Sequence, residues 1–135
     1  MGEKLRIMVI DDECIVGKRL KPALEKEGDT VETFEDGKSA LERLAQGSFD
    51  IVVTDIRMDE VDGLEVLERV LAQAPHTKVI MITGYATVEI AREALVKGAF
   101  DFIAKPFKPN DLREVIARAA KELRSRPDAE RPERS

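Results

Sequence analysis

Ile51-Val52-Val53-Thr54-Asp55-Ile56-Arg57 is the stretch that decides the fold. Three β-branched apolar residues run, without polar alternation, toward a single acid. That is the pattern of a short strand buried on both faces, the kind found in parallel sheets covered by helices. Open α/β sheets place their chemistry at the carboxyl ends of such strands, where Asp55 stands.

The neighbouring segments agree with this frame. Leu5 to Ile10 reads as a first strand, apolar apart from Arg6, and runs into Asp11, Asp12 and Glu13. Glu13 to Glu27 has the helical period, with Val16, Leu20, Ala23 and Leu24 inward and Gly28 as the stop. Pro22 inside it costs about 3 kcal/mol and predicts a kink or an irregular turn. Thr30 to Phe34 is a second strand, and Asp36-Gly37 opens a helix over Lys38 to Gln46 that Gly47 ends. A polar loop over 57–62, closed by Gly63, leads to a third helix, Leu64 to Ala74, barred by Pro75. Val79 to Ile82 delivers Thr83. Thr87 caps a fourth helix, Val88 to Lys97, with Ala91, Ala94 and Leu95 inward and Ile90 and Val96 off that face. Phe100 to Ala104 delivers Lys105. Pro109 fits the first turn of a last helix carrying Leu112, Val115, Ile116, Ala119 and Leu123. Strand and helix alternate five times, which predicts a flavodoxin-like (βα)5 doubly wound parallel sheet in the order 2-1-3-4-5.

Composition sets the bounds. The 135 residues suit one domain over 1–124, followed by a tail or the start of a linker over 125–135. From Arg126 onward there are two prolines, six charges and no large apolar residue. At 43% hydrophobic and 36% charged, the chain reads as soluble and globular. The net charge of -5 argues against direct nucleic-acid binding, which needs a basic face. No signal peptide or membrane span is expected. The one cysteine, Cys14, cannot form an internal disulfide, which fits a cytoplasmic location; it is read as a small packing residue, and His76 as an exposed loop residue.

The predicted sheet brings chemistry to one edge. Asp11 and Asp12 follow strand one, Asp55 ends strand three, Thr83 ends strand four and Lys105 follows strand five. Clustered carboxylates repel and need a proton, a lysine or a metal. Oxygen ligands with room for water suit Mg²⁺. A carboxylate nucleophile attacks phosphorus to give an aspartyl phosphate, and a metal and a lysine neutralise the equatorial oxygens. Thr83 is placed to donate to one of them.

The set Val9-Ile10-Asp11-Asp12-Glu13, Val53-Thr54-Asp55-Ile56-Arg57-Met58, Ile82-Thr83-Gly84-Tyr85 and Lys105-Pro106-Phe107 resembles the receiver domain of two-component response regulators, over about Lys4 to Leu123. The run from Met81 to Phe107 is similar to receivers of the nitrogen-regulation type. The resemblance implies that Asp55 is the phosphoacceptor, charged by a phosphohistidine on a sensor histidine kinase or phosphotransfer protein. It implies Mg²⁺ held by Asp12, Asp55 and the Arg57 backbone carbonyl, with Asp11 acting through water. It implies that Lys105 pairs with the phosphoryl group and precedes a cis Lys105-Pro106 bond. Thr83 and Phe102 become the switch pair that remodels the fourth helix, fifth strand and fifth helix for dimerisation or target docking. Such a domain transfers a phosphoryl group to itself and loses it slowly, rather than turning over a substrate.

Two features depart from the family pattern. Met58 is followed by Asp59-Glu60-Val61 where a proline is usual, which predicts a more flexible and acidic loop. Pro22 stands in a helix that usually docks the kinase. Arg57 and Tyr85 each lie two residues past a site residue and are expected to shield the phosphoryl group from water. Two rival readings remain at this level. One is a phosphatase-like hydrolase, which lacks its usual DxD motif here. The other is a receiver-like binding module that is never phosphorylated.

Overall fold

The computed structural model describes residues 4–58, 60–84 and 88–124. Five strands, β1 (Arg6–Ile10), β2 (Thr30–Phe34), β3 (Ile51–Asp55), β4 (Lys78–Thr83) and β5 (Asp101–Ala104), alternate with five helices, α1 (Cys14–Glu25), α2 (Gly37–Leu44), α3 (Gly63–Gln73), α4 (Val88–Val96) and α5 (Pro109–Arg124). The strands form one parallel sheet in the order β2-β1-β3-β4-β5, so the flavodoxin-like expectation holds.

Two cores sit on the two faces of this sheet, and the period of two along each strand assigns side chains between them. Ile7, Val9, Ile51, Val53, Ile80 and Ile82 pack with Leu20 and Leu24 of α1 and Leu112, Ile116 and Leu123 of α5. Met8, Ile10, Val52, Val79 and Met81 pack with Ala40 of α2, Val66, Leu67 and Val70 of α3, and Ala91 and Ala94 of α4. The strand Ile51–Asp55 is buried along its whole length, as its unbroken apolar run requires. Leu67 is fully buried in the second core. Leu67→Ala is expected to cost about 2–5 kcal/mol, measured by urea unfolding with an unchanged m-value.

The helix starts are set by short polar side chains. Asp36 caps α2 by accepting from the Ser39 amide at 2.7 Å, and Asp62 caps α3 by accepting from the Glu65 amide at 3.0 Å. Gly98 follows α4 at φ 116°, a left-handed conformation that strains any side chain.

Pro22 lies within α1, in its last turn and on the exposed side. Other local expectations are corrected. Cys14 is exposed at the start of α1 and packs in no core. His76 is half-buried, because the turn after α3 folds against the sheet where the Thr77 hydroxyl donates to the Phe49 carbonyl at 2.7 Å. On α4 the inward stripe is Ile90, Ala91 and Ala94, while Leu95 is 37% and Val96 89% exposed. The small alanines let α4 approach the sheet, which turns Leu95 outward. Thr87 and the 125–135 tail lie outside the described residues.

Candidate functional site

Parallel register delivers the site. Asp55 pairs with Ile82 across β3 and β4, and Thr83 with Ala104 across β4 and β5, so these strands end at one level. Asp11 directly follows β1, and its amide donates to the Phe34 carbonyl at 3.0 Å, extending that edge by one residue. Lys105 directly follows β5, and its amide donates to the Thr83 carbonyl at 2.8 Å.

The side chains converge as that edge requires. Asp11, Asp12 and Asp55 each offer a carboxylate oxygen within 4.8 Å of the others. The Lys105 ammonium lies 3.1 Å from Asp11 Oδ2 and 3.3 Å from Asp55 Oδ2. Asp11 Oδ1 accepts from the Glu13 amide at 2.9 Å, while its buried Oδ2 meets the Lys105 ammonium as an ion pair without hydrogen-bond geometry. Burial pushes the Asp11 carboxyl above its usual range against the Glu13 amide, and the charge of Asp55 adds to the rise. Burial likewise raises Asp55, with Lys105 opposing and Asp12 adding to it. Burial alone would lower the Lys105 ammonium, but its bonds to Glu13 and Asp11 and the charges of Asp11 and Asp55 hold it well above its ordinary value.

This donor set fits a hard divalent cation. Three carboxylates crowd beside one ammonium, all donors are oxygen, and one buried oxygen is left without a hydrogen bond. Asp12 is exposed and faces a polar cleft of about 420 Å³ that it shares with Arg57, Met58, Asp62 and Ile90.

The β3–α3 turn is tightly held beneath this cleft. The Thr54 hydroxyl donates to the Asp55 carbonyl at 2.9 Å, and the Gly63 amide donates to the Ile56 carbonyl at 2.8 Å. Within the same turn Glu60, in the stretch that lacks proline, adopts a left-handed φ of 60°.

Not every predicted residue joins the acid cluster. Thr83 is fully buried at the edge, and its hydroxyl donates to the Gly84 carbonyl at 3.0 Å. Phe102 is half-buried in β5, opposite Met81, and packs in the α3–α4 core. Arg57 is exposed just beyond Asp55, Lys105-Pro106 is cis, and Tyr85 lies outside the described residues. One member of the constellation carries no site role in the sequence reading: Glu13, whose carboxylate lies 2.5 Å from Lys105 Nζ. Its position directly after the acid pair is the available signal.

Acids and a lysine gathered at the carboxyl edge of a five-stranded doubly wound sheet form a site suited to phosphoryl chemistry. The response regulator receiver domain family matches residues 7–117, and the chain belongs to that family. It is 40% identical to the regulatory protein AtoC of Escherichia coli over 114 residues, 84% of this chain and 25% of AtoC. It is 37% identical to the transcriptional regulatory protein FixJ of Bradyrhizobium diazoefficiens over 122 residues, 90% of this chain and 60% of FixJ. The crystal structure of the receiver domain of NtrX from Brucella abortus matches with a TM-score of 0.80 and 36% identity, covering 85% of this chain and 98% of that one. The chain thus spans about a quarter of the length of AtoC and 60% of FixJ. Membership of this family favours the switch over the hydrolase and the silent module. Among the described residues no helix is long and apolar enough to cross a membrane.

Proposed function

We propose that Asp55 accepts a phosphoryl group from a phosphohistidine on a sensor kinase or phosphotransfer protein, in a Mg²⁺-dependent reaction in the cytoplasm. The observation that carries this is the Lys105 ammonium, 50 residues away in sequence, within 3.3 Å of a buried carboxylate at the sheet edge. Asp12, Asp55 and the Arg57 carbonyl would hold the ion, with Asp11 acting through water. The bound ion supplies positive charge against the equatorial phosphoryl oxygens.

The chain's own residues do the rest. An Asp55 carboxylate oxygen attacks phosphorus as the P–N bond breaks, and the imidazole nitrogen keeps the bonding pair and takes up a proton. Lys105 balances charge on the transferred group. Thr83 gives up Gly84 to donate to a phosphoryl oxygen, and Phe102 turns into the space it leaves. Preferential stabilisation of that arrangement shifts α4, β5 and α5, and phosphate affinity sets the size of the shift. Exposed Leu95 and Val96 on α4 support this face as a docking or dimerisation surface. Self-transfer and slow self-hydrolysis are the only reactions this reading assigns. The output of the longer relatives, transcriptional regulation, is a proposal for any protein that carries this domain.

Incubation with Mg²⁺ and a small acyl-phosphate donor tests the reading. Intact mass is expected to show one added phosphoryl group, which a chelator prevents; rapid multiple turnover of the donor, or no adduct at all, would contradict it. Arg57 is exposed beside the site, which supports its role in shielding. Arg57→Asn combined with Tyr85→Glu is expected to shorten the adduct's lifetime several-fold by admitting water, followed by mass against time. An unchanged lifetime would remove both residues from that role.

A further inference from the structure

We propose that Glu13 is the resting counter-ion of Lys105, a positioning residue that holds the ammonium until Asp55 is phosphorylated and then gives it up. The inference rests on Asp55 being the acceptor.

Lys105 Nζ is engaged by three carboxylates at once: Glu13 Oε1 at 2.5 Å, Asp11 Oδ2 at 3.1 Å and Asp55 Oδ2 at 3.3 Å. The ammonium donates to Glu13 and Asp55, and the Asp11 carboxylate faces it as a third ion-pair partner. A phosphoryl group on Asp55 brings three acceptor oxygens and about two negative charges within reach of the same nitrogen, in place of the single charge of the free carboxylate. The Asp55 contact passes to the phosphoryl oxygens, and their larger charge draws the ammonium toward Asp55 and away from its other two partners. The Asp11 side chain is 0% exposed and that of Glu13 is 60% exposed. Stripping the partner from a buried carboxylate is costly, whereas water replaces the ammonium at an exposed one with little loss. Glu13 is therefore the ligand that lets go.

Neither helix capping nor pairing along a helix accounts for the Glu13 contact. Glu13 is the N-cap residue of α1, yet its side chain makes no capping bond. Its partner is 92 residues away, far beyond the neighbouring turn of a helix. The contact ties the start of α1 to the Lys105–Pro106 turn across a groove of about 250 Å³ walled by Ile15, Val16, Leu20 and Phe107. Phosphorylation would therefore loosen α1 from that turn as it takes Lys105.

Three proteins test the latch: wild type, Glu13→Gln and Glu13→Asp, phosphorylated with Mg²⁺ and a small acyl-phosphate donor. With the latch removed, Glu13→Gln is expected to react about twofold to fivefold faster at low salt, the range an exposed ion pair allows. The difference should shrink at high salt. Glu13→Asp keeps the charge but loses the reach, so it should match Glu13→Gln. If Glu13→Asp instead matches wild type, the effect is repulsion of the anionic donor and the latch is wrong; equal rates in all three also overturn it. No adduct in any protein overturns the acceptor reading, and the latch with it. A measurement independent of phosphorylation is thermal unfolding of metal-free Glu13→Gln, Lys105→Met and the double variant. Coupled midpoints are expected, and additive ones contradict the contact.

Discussion

Asp55→Asn is expected to abolish phosphorylation and, in the absence of metal, to make the protein more stable. The amide is no nucleophile toward phosphorus, so no adduct forms from any donor. The stability gain follows from the site's electrostatics. Burial raises the Asp55 carboxyl above its ordinary value of 3.8, so the folded state binds this proton more tightly than the unfolded one. For a carboxyl raised on folding, stability falls as pH rises from the unfolded value through the folded one, and the full penalty is present at neutral pH. The neutral amide removes that penalty and relieves repulsion from Asp12. Lys105 loses one partner but keeps Glu13 and Asp11. A net gain in stability is expected at pH 7 in chelator, and it disappears as pH falls below the carboxyl's ordinary value. Wild type should respond oppositely to the ion, gaining about 2.7 kcal/mol when Mg²⁺ reaches a hundred times its dissociation constant. Asp55→Asn should lose most of that gain. Thermal melts with and without Mg²⁺ at two pH values read all of these terms.

Gly63→Ala is expected to be the most damaging change of a single methyl group. A Cβ at Gly63 would overlap the Asp55 carbonyl oxygen and lie 2.8 Å from Ile56 Cα. Both are backbone atoms, so neither moves out of the way as a side chain would. They also belong to the turn that carries the acceptor and the Arg57 carbonyl. Relief requires shifting either α3 or the end of β3, which are joined by the Gly63 amide to Ile56 carbonyl bond at 2.8 Å. A loss of about 3 kcal/mol is expected, enough to lower the melting temperature by roughly 10 °C. The adduct should form much more slowly even in protein that remains folded, because Asp55 and Arg57 move together. Gly84→Ala is the control, since a Cβ there meets nothing within 4 Å. Equal behaviour of the two variants would show that the β3–α3 turn is not held as described.

How much of the molecule is legible in the sequence follows from where the signals come from. The sheet order is readable because Ile51 to Val53 and Val79 to Ile82 have no polar face, which demands helices on both sides. The edge residues are readable because a parallel sheet ends its strands together, which places Asp55, Thr83 and Lys105 side by side without knowledge of any contact. What the pattern does not supply is side-chain direction on short elements. On α4 the helical period alone does not separate Ile90 from Leu95, and the close approach of Ala91 and Ala94 to the sheet decides it. The hydrophobicity of Cys14 suggests burial, whereas the first residue of α1 projects from the loop carrying the acids. The Glu13–Lys105 contact is hidden in the sequence because an acid just before a helix already suits the positive end of the helix dipole.

The central claim is that one particular carboxylate, Asp55, takes the phosphoryl group. Wild-type protein phosphorylated in Mg²⁺ is treated with hydroxylamine, which converts an acyl phosphate to a hydroxamate, and peptides are sequenced by mass. The account predicts the hydroxamate at Asp55 alone, absent from Asp55→Asn. A hydroxamate at Asp11, Asp12 or Glu13 in the wild-type protein would contradict it.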